Sequence, residues 1–228
     1  MTTLEAIAKE ALKKRQPATV SVAQALREAI LMGVLKSGIP LRQDALGKQF
    51  GVSQVTVHEA LRLLSEEGLV QVIPRRGAVV YTLSADEAAE ITSLRMNLEG
   101  VLISEAIPQL TSLDLAEAHR VIEAIDQADS PEALIGLNVD FHALLYAKAK
   151  RPRTEAIVER LRVALEPYLR LLWTRTGYQS NSQKDHREIL DLCKRKKIPE
   201  ARKVLESHIE KTGKQIEELL RAVSKEGG

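Results

Sequence analysis

Three of the five histidines in this chain of 228 residues have a placement that suits joint binding of a metal ion. His142, His186 and His208 each share the apolar face of a predicted helix with a leucine or isoleucine about one turn away. A buried imidazole needs a partner, and neutral imidazole nitrogens are good ligands for divalent cations. We therefore predict that the three rings converge on one metal ion. The alternative is three independent histidines, each hydrogen-bonded in the core or at its rim.

A second group of side chains has the types and spacing of a DNA-contacting surface. Ser53 is a good N-cap for a helix that extends to Glu67. The stripe of that helix that points away from its apolar face consists of Gln54, Val55, His58 and Arg62. Hydrogen-bonding side chains near a helix N-terminus suit a major groove, and the N-terminus itself suits a phosphate. The alternative is that these are ordinary solvated residues of a surface helix.

The composition indicates what kind of protein carries these two groups. Hydrophobic residues make up 44% and charged residues 28%, as in globular proteins, whereas 3% aromatic residues favour helices over sheets. One cysteine excludes a disulfide framework and cysteine-based zinc sites. The net charge of +2 excludes a histone-like protein. No apolar run reaches the roughly 18 residues of a membrane span, and the N-terminus lacks the apolar stretch of a secretory signal, so we expect a cytoplasmic protein.

The charge is unevenly distributed along the chain and suggests two modules. Residues 1–83 hold 11 basic and 7 acidic residues, whereas the remainder holds 22 basic and 24 acidic residues. A basic part joined to an acidic part is typical of modules with different partners. We predict an N-terminal extension at 1–16, a DNA-binding module at 17–83, a helical module at 84–222 and a disordered tail at 223–228.

The spacing of apolar residues predicts a winged helix-turn-helix followed by an antiparallel all-helical bundle, so the fold class is mainly α. In the first module, helices are predicted at 20–32, 42–50 and 53–67, and strands at 69–73 and 78–81. The turn between the strands carries Arg75 and Arg76, which would reach the DNA backbone or minor groove. Ser84 and Glu87 form a capping-box pattern that opens the second module. Its six helices are predicted at 84–107, 111–127, 131–149, 152–174, 182–195 and 198–222.

The first module also carries motifs at Leu26–Gly33, Phe50–Ser53, Glu59–Leu64, Glu67–Val70 and Arg76–Val80. With these motifs it resembles the DNA-binding domain of the GntR family of bacterial regulators. The resemblance implies DNA contacts from Arg42, Ser53, Gln54, Val55, Thr56, His58, Arg62, Arg75 and Arg76. The chain departs from the family at Gln54 and His58, where arginine is usual, and at Asp44, which could repel phosphate. Because glutamine favours adenine and arginine favours guanine, we predict an operator unlike the commonest one in the family.

The second module carries shorter motifs at Leu94–Arg95, Leu98–Glu99, Asn138–His142, Asp185–Leu190, Leu205 and Ser207–Ile209. It resembles the metal-containing FCD type of the FadR subfamily, in which this domain binds an effector and forms the dimer. The resemblance implies a metal held by Asn138, His142, His186 and His208, and an anionic effector held by Arg95. Asn138 stands where the family often has aspartate, so it brings no negative charge. Asp140 lies on roughly the opposite helix face and is a poor substitute.

Zinc is the first expectation for the metal, with nickel or manganese as alternatives. Arg95 would bind a carboxylate of a small organic acid in bidentate fashion. The alternative is that Arg95 is an exposed cation paired with Glu99. Apolar packing is the expected role of Tyr146, Tyr168, Trp173 and Tyr178, with lining of the effector cavity as the alternative. A structural role is expected for His119.

Together these features predict a ligand-responsive, homodimeric bacterial transcription regulator, with repression as the expected mode. Two-fold symmetry would match it to a palindromic operator in double-stranded DNA, and no membrane partner is expected. An enzyme is not expected, because no His-Glu-x-x-His motif occurs and no nucleophile or general base has a suitable spacing. The alternatives are a metal-dependent hydrolase fused to a DNA-binding module and an architectural DNA binder without an effector.

Overall fold

The structure is a computed structural model that describes residues 3–4, 7–8, 17–73, 77–176 and 179–226. Most of the predicted extension at 1–16, the wing arginines Arg75 and Arg76, and Tyr178 lie outside the described residues. The chain divides into two units, Met1–Leu83 and Ser84–Gly228. The second unit begins at the predicted capping box, in which Ser84 and Glu87 exchange both hydrogen bonds.

The first unit contains three helices and a three-stranded antiparallel sheet in its described part. Its elements are α1 (Ala18–Leu31), β1 (Pro40–Leu41), α2 (Gln43–Phe50), α3 (Gln54–Glu66), β2 (Val70–Ile73) and β3 (Gly77–Val80). The strand order is β1-β3-β2, and Val79 of β3 pairs with Pro40 on one side and Gln71 on the other. The sequence pattern predicts only a turn at Pro40, because an edge strand of two residues leaves no alternation to detect.

The local sequence explains the tight turn between α2 and α3. Gly51 follows α2 with a φ of 66°, a left-handed conformation that glycine adopts readily. Ser53 caps α3, because its hydroxyl accepts a hydrogen bond from the backbone N–H of Thr56. The side of α3 that packs on α1 is apolar and consists of Val57, Ala60, Leu61 and Leu64. The helix-turn-helix is thereby confirmed, and the other side of α3 faces solvent.

The second unit is a bundle of six long helices in its described part, which confirms the predicted number. They are α4 (Ala85–Ala106), α5 (Ser112–Gln127), α6 (Pro131–Tyr146), α7 (Pro152–Thr176), α8 (Gln179–Lys194) and α9 (Ile198–Glu226). A 3-10 turn, Ile107–Gln109, follows α4. α9 continues to Glu226, so helical backbone includes residues 223–226 of the predicted tail. None of the described helices combines the length and apolar character needed to span a bilayer.

The core of the second unit surrounds the predicted metal ligands. Its most deeply buried side chains come from α4, α6, α8 and α9 and include Leu102, Ile103, Phe141, Leu145, Ile189 and Leu205. α4 and α9 approach closely where Gly213 faces Thr92. The approach requires glycine, since a side chain at position 213 would collide with the threonine. Such dense packing fixes the helices relative to one another. The histidines on α6, α8 and α9 are therefore held at defined separations.

Candidate functional site

Three histidine side chains meet inside the second unit. His142 on α6, His186 on α8 and His208 on α9 each offer a ring nitrogen within 4.8 Å of the other two. The ring centroids of His142 lie 5.2 Å from His186 and 5.4 Å from His208, and the last two rings are 4.8 Å apart. All three residues are buried. We call these residues the histidine cluster; it can present three nitrogens to one cation.

The orientation of the His142 ring is set by a chain of hydrogen bonds that ends at a buried carboxylate. The Tyr146 hydroxyl donates to Glu99 Oε2 at 2.7 Å, so the Tyr146 oxygen is free to accept. His142 Nδ1 lies 3.3 Å from that oxygen and is the donor. Its Nε2 then carries the lone pair that a metal ligand needs. Carboxylate partners of this kind orient metal-binding histidines and raise their basicity.

The His186 ring is oriented by Gln183, one turn earlier on α8. The Gln183 amide nitrogen donates to Asp126 Oδ1 at 3.0 Å and to the Ile122 carbonyl at 3.3 Å, which fixes the direction of the amide. The Gln183 oxygen therefore accepts from His186 Nδ1 at 2.9 Å. His186 Nε2 is buried, and no hydrogen-bond partner for it lies within the described part of the chain. This nitrogen is an unsatisfied acceptor of the kind that a metal ion would fill.

The third ring, His208, is placed beside Asp185. Its Nδ1 lies 3.5 Å from Asp185 Oδ2, longer than a normal hydrogen bond, and this buried nitrogen has no hydrogen-bond partner in the described part of the chain. Lys211 Nζ lies 3.1 Å from the same oxygen. The His208 ring and the Lys211 ammonium outweigh partial burial and lower the pKa of Asp185. The carboxylate is therefore charged at neutral pH and can orient His208.

The rings of the cluster are suited to metal binding because two of them are held neutral. Burial, followed by the charges of His186 and Arg162, places the pKa of His142 well below its usual value. Burial and His208 have the same effect on the pKa of His186. Neutral imidazoles bind a metal without first losing a proton. The donor set therefore fits a divalent cation of the zinc type, with a fourth position left for another ligand.

Arg95 and Asn138, which the resemblance implies as effector and metal residues, both line a cavity of about 40 Å³ beside α7. Asn138 is half-buried and lies one turn before His142 on α6, whereas Asp140 is exposed. Arg95 Nε donates to Glu99 Oε1 at 2.7 Å. This pair is buried rather than exposed, since the side chains are 13% and 0% accessible. Burial opposes ionisation of Glu99, but Arg95, Arg162 and Tyr146 together lower its pKa.

The predicted DNA-contacting residues in the described part of the first unit lie at its surface. Ser53, Gln54, Val55, His58, Arg42 and Arg62 are exposed, and Thr56 is half-exposed. Arg62 forms ion pairs on its own helix with Glu59 at 3.2 Å and Glu66 at 2.6 Å. Part of the positive charge of Arg62 is therefore already neutralised in the absence of DNA. Arg75 and Arg76 lie outside the described residues.

A contact between α2 and α3 was not anticipated from the sequence. The side-chain amide of Gln43 lies 3.3 Å from His58 Nδ1. If the amide donates, the opposite ring nitrogen carries the hydrogen and faces outward. His58 would then present a single donor to a base or phosphate.

Four residues of the candidate site were missed by the sequence reasoning in these roles: Glu99, Tyr146, Arg162 and Gln183. Three of them lie three or four positions from a predicted site residue, the spacing at which helical side chains meet. That spacing could have identified them. Packing was the preferred expectation for Tyr146, with lining of the cavity as the alternative, and Tyr146 does line the larger cavity. His119 is exposed, with Nε2 at 3.6 Å from Glu123.

Both units are similar to known proteins. Residues 18–80 match the gntR family of bacterial regulatory proteins, and residues 90–211 match the FCD domain. The HTH-type transcriptional regulator McbR of Escherichia coli (strain K12) is 30% identical over 68% of this chain and 72% of McbR. The solved structure of E. coli McbR/YncC shares the fold, with a TM-score of 0.74 at 24% identity over 90% of this chain and 99% of that one.

Two further proteins are similar to this chain. A GntR family member from Pseudomonas syringae pv. tomato str. DC3000, known from its crystal structure, has a TM-score of 0.55 at 31% identity. The match covers 99% of this chain and 97% of that one. The gluconate operon transcriptional repressor of Bacillus subtilis (strain 168) is 26% identical over 67% of this chain and 63% of the repressor.

Proposed function

The chain belongs to the GntR family of bacterial regulatory proteins and carries an FCD domain, and we propose that it is a repressor that responds to a metal ion and an organic acid. As a member of this family it is a DNA-binding transcription regulator with an effector-binding domain, and it is not an enzyme. We assign its action to the cytoplasm, where bacterial DNA is read.

The observation that carries the metal proposal is the buried Nε2 of His186 in the histidine cluster, which has no hydrogen-bond partner among the described residues. An unsatisfied buried acceptor costs roughly 1–3 kcal/mol, and coordination would remove that cost. His142, His186 and His208 would be three ligands, and the carbonyl oxygen of Asn138 or a water would be the fourth. Zinc is the preferred ion, with nickel or manganese as alternatives. When bound, the ion would supply a Lewis-acidic anchor for a carboxylate.

The organic acid is proposed from the charges beside the histidine cluster. Arg95 and Arg162 both line the cavity that contains Asn138, and Glu99 is the fully buried carboxylate beside them. The same cavity is also lined by Glu159 and Glu166, so an anionic ligand would have to pair directly with the guanidinium groups. Binding of such an acid would favour one arrangement of the bundle over another by its difference in affinity for the two.

The DNA proposal rests on the exposed stripe of α3 and its surroundings. Gln54, Val55 and His58 would contact base edges in the major groove, because they lie near the N-terminus of the second helix of the helix-turn-helix. Phosphate contacts would come from Arg42, Ser53, Thr56, Arg62, Arg75 and Arg76. A homodimer would match a palindromic operator. Repression is proposed because one relative is named the gluconate operon transcriptional repressor.

A mobility-shift titration tests the proposed function. The probe is a duplex selected from a random pool by the zinc-loaded full chain, and small carboxylic acids are added at constant ionic strength. We expect specific binding with a steep salt dependence, and release of the duplex by at least one acid. Binding that ignores both metal and acids would indicate an architectural DNA binder. Absence of specific binding would contradict the proposal that the first unit recognises a DNA sequence.

A further inference from the structure

Arg162 on α7 is a buried cation whose side chain is not fully paired. The side chain is 9% exposed, and its Nη2 is buried with no hydrogen-bond partner in the described part of the chain. Its Nη1 lies 4.0 Å from Glu159 Oε2, which is too long for a hydrogen bond. A buried guanidinium nitrogen without a hydrogen-bond partner lowers the stability of the fold, and a ligand that accepts a hydrogen bond from it would remove this cost.

Arg95 and Arg162 differ in whether they can still form a hydrogen bond with a ligand. Arg95 already donates to the fully buried Glu99 at 2.7 Å. Arg162 acts on Glu99 and His142 only through its charge, which helps to lower the pKa of both groups. A new carboxylate can therefore accept a charge-assisted hydrogen bond from Arg162 Nη2, which has no hydrogen-bond partner to displace among the described residues. At Arg95 it would have to compete with Glu99.

Arg162 lines two cavities, and their sizes differ. The cavity that also contains Arg95 and Asn138 measures about 40 Å³, about the volume of one or two water molecules. The other cavity measures about 360 Å³ and lies among α4, α6 and α7. The larger cavity can hold the body of a small organic molecule, while Arg162 forms part of the wall of both.

The lining of the larger cavity indicates the chemical class of that body. Its apolar surface comes from Leu102, Ala143, Pro152, Ala156 and Val158. Its polar groups besides Arg162 are the Tyr146 hydroxyl, which is already bonded to Glu99, and the carboxylates of Glu155 and Glu159. A second carboxylate on the ligand would meet these two glutamates and be repelled. An apolar body is therefore favoured over a dicarboxylic acid.

We infer that Arg162 binds the carboxylate of a small monocarboxylic acid whose apolar body occupies the cavity of about 360 Å³ among α4, α6 and α7. This inference rests on the proposed function, because it specifies the effector of the same domain. Arg95 instead holds Glu99 in place, and through Glu99 it supports Tyr146 and His142.

Calorimetry on the zinc-loaded full chain tests the inference, with sodium butyrate, acetate and succinate as probes at equal ionic strength. We expect butyrate to bind more tightly than acetate and succinate. Arg162→Met should weaken butyrate binding at least tenfold, the loss of a buried charged hydrogen bond. Arg162→Lys should give an intermediate loss, because it keeps the charge but not the planar fork. Arg160→Met is the matched control, since Arg160 is exposed on the same helix.

Zinc retention and the circular dichroism of each variant establish that it is folded. Butyrate affinity equal in wild type and Arg162→Met would overturn the inference and leave the proposed function intact. Tighter binding of succinate than of butyrate would overturn the assignment of the larger cavity. Failure of wild type to bind any of the three acids would count against both the inference and the acid part of the proposed function.

Discussion

His142 Nδ1 and the hydroxyl oxygen of Tyr146 lie 3.3 Å apart, one turn of α6 from each other. Because that hydroxyl donates to Glu99, the tyrosine can only accept from the histidine, and Nε2 is left for a metal. Tyr146→Phe removes this acceptor and should weaken zinc binding at least tenfold, as is usual for such supporting partners. Competition with a chromophoric chelator measures the change. Unaltered affinity would show that Tyr146 does not orient His142; Tyr81→Phe, in the other unit, is the control.

Asn138 is predicted to limit metal affinity, because it offers a neutral oxygen one turn before His142. Asn138→Asp should raise the zinc affinity about tenfold, since a carboxylate adds a favourable charge at the cation. Asp140→Asn is the matched control, as Asp140 is exposed on the same helix. The same chelator competition measures the zinc affinity of wild type, Asn138→Asp and Asp140→Asn. If neither Asn138→Asp nor Asn138→Ala alters the affinity, position 138 lies outside the coordination sphere.

The stability of the metal-free protein should fall as the pH drops below about 6.5, the ordinary pKa of histidine. Burial lowers the pKa of His142 and His186 in the folded chain, so the unfolded chain binds protons there that the folded chain does not. Above pH 6.5 both states are neutral and the effect vanishes. The slope is at most about 1.4 kcal/mol per pH unit for each histidine.

Urea unfolding in the presence of a chelator measures this dependence. Fluorescence of Trp173, the single tryptophan, reports on the second unit. A His142→Gln, His186→Gln double variant should have a shallower dependence between pH 5.5 and 7.5. An identical slope in the two proteins would mean that other groups govern acid sensitivity in this range.

Gln54 is predicted to specify adenine at one operator position. Gln54→Arg should shift the preferred base there to guanine, with a discrimination of roughly 1–3 kcal/mol. Selection from a random duplex pool reads out the preference. Arg62→Ala serves as the contrast, because loss of a phosphate contact should weaken binding to all sequences alike. Retention of the wild-type preference by Gln54→Arg would place residue 54 away from the bases.

The sequence predicted the helices of both units and the inward faces of the three histidines because these depend on local periodicity. The capping box at Ser84 and the turn at Gly51 were predictable for the same reason. β1 was not predictable, because its two residues become a strand only by pairing with Val79 and Ala78 of β3.

The hydrogen bonds that orient the cluster depended on contacts distant in sequence. The Tyr146 hydroxyl meets Glu99, 47 positions away, and Gln183 meets Asp126, 57 positions away. No spacing rule connects such residues before the helices are packed. Sequence spacing could not show either that Arg162 Nη2 is buried without a hydrogen-bond partner in the described part of the chain, because this depends on how the helices pack.

Metal analysis of protein purified without a histidine tag tests the central claim most directly. The account predicts one divalent ion per chain in wild type, retained on dialysis against buffer, and the same in His119→Ala, because His119 is exposed and is not part of the cluster. His186→Ala should retain none, because it removes a buried ligand nitrogen that has no hydrogen-bond partner among the described residues. Wild type that contains no stoichiometric metal, and takes up none on dialysis against zinc, nickel or manganese, would contradict the account.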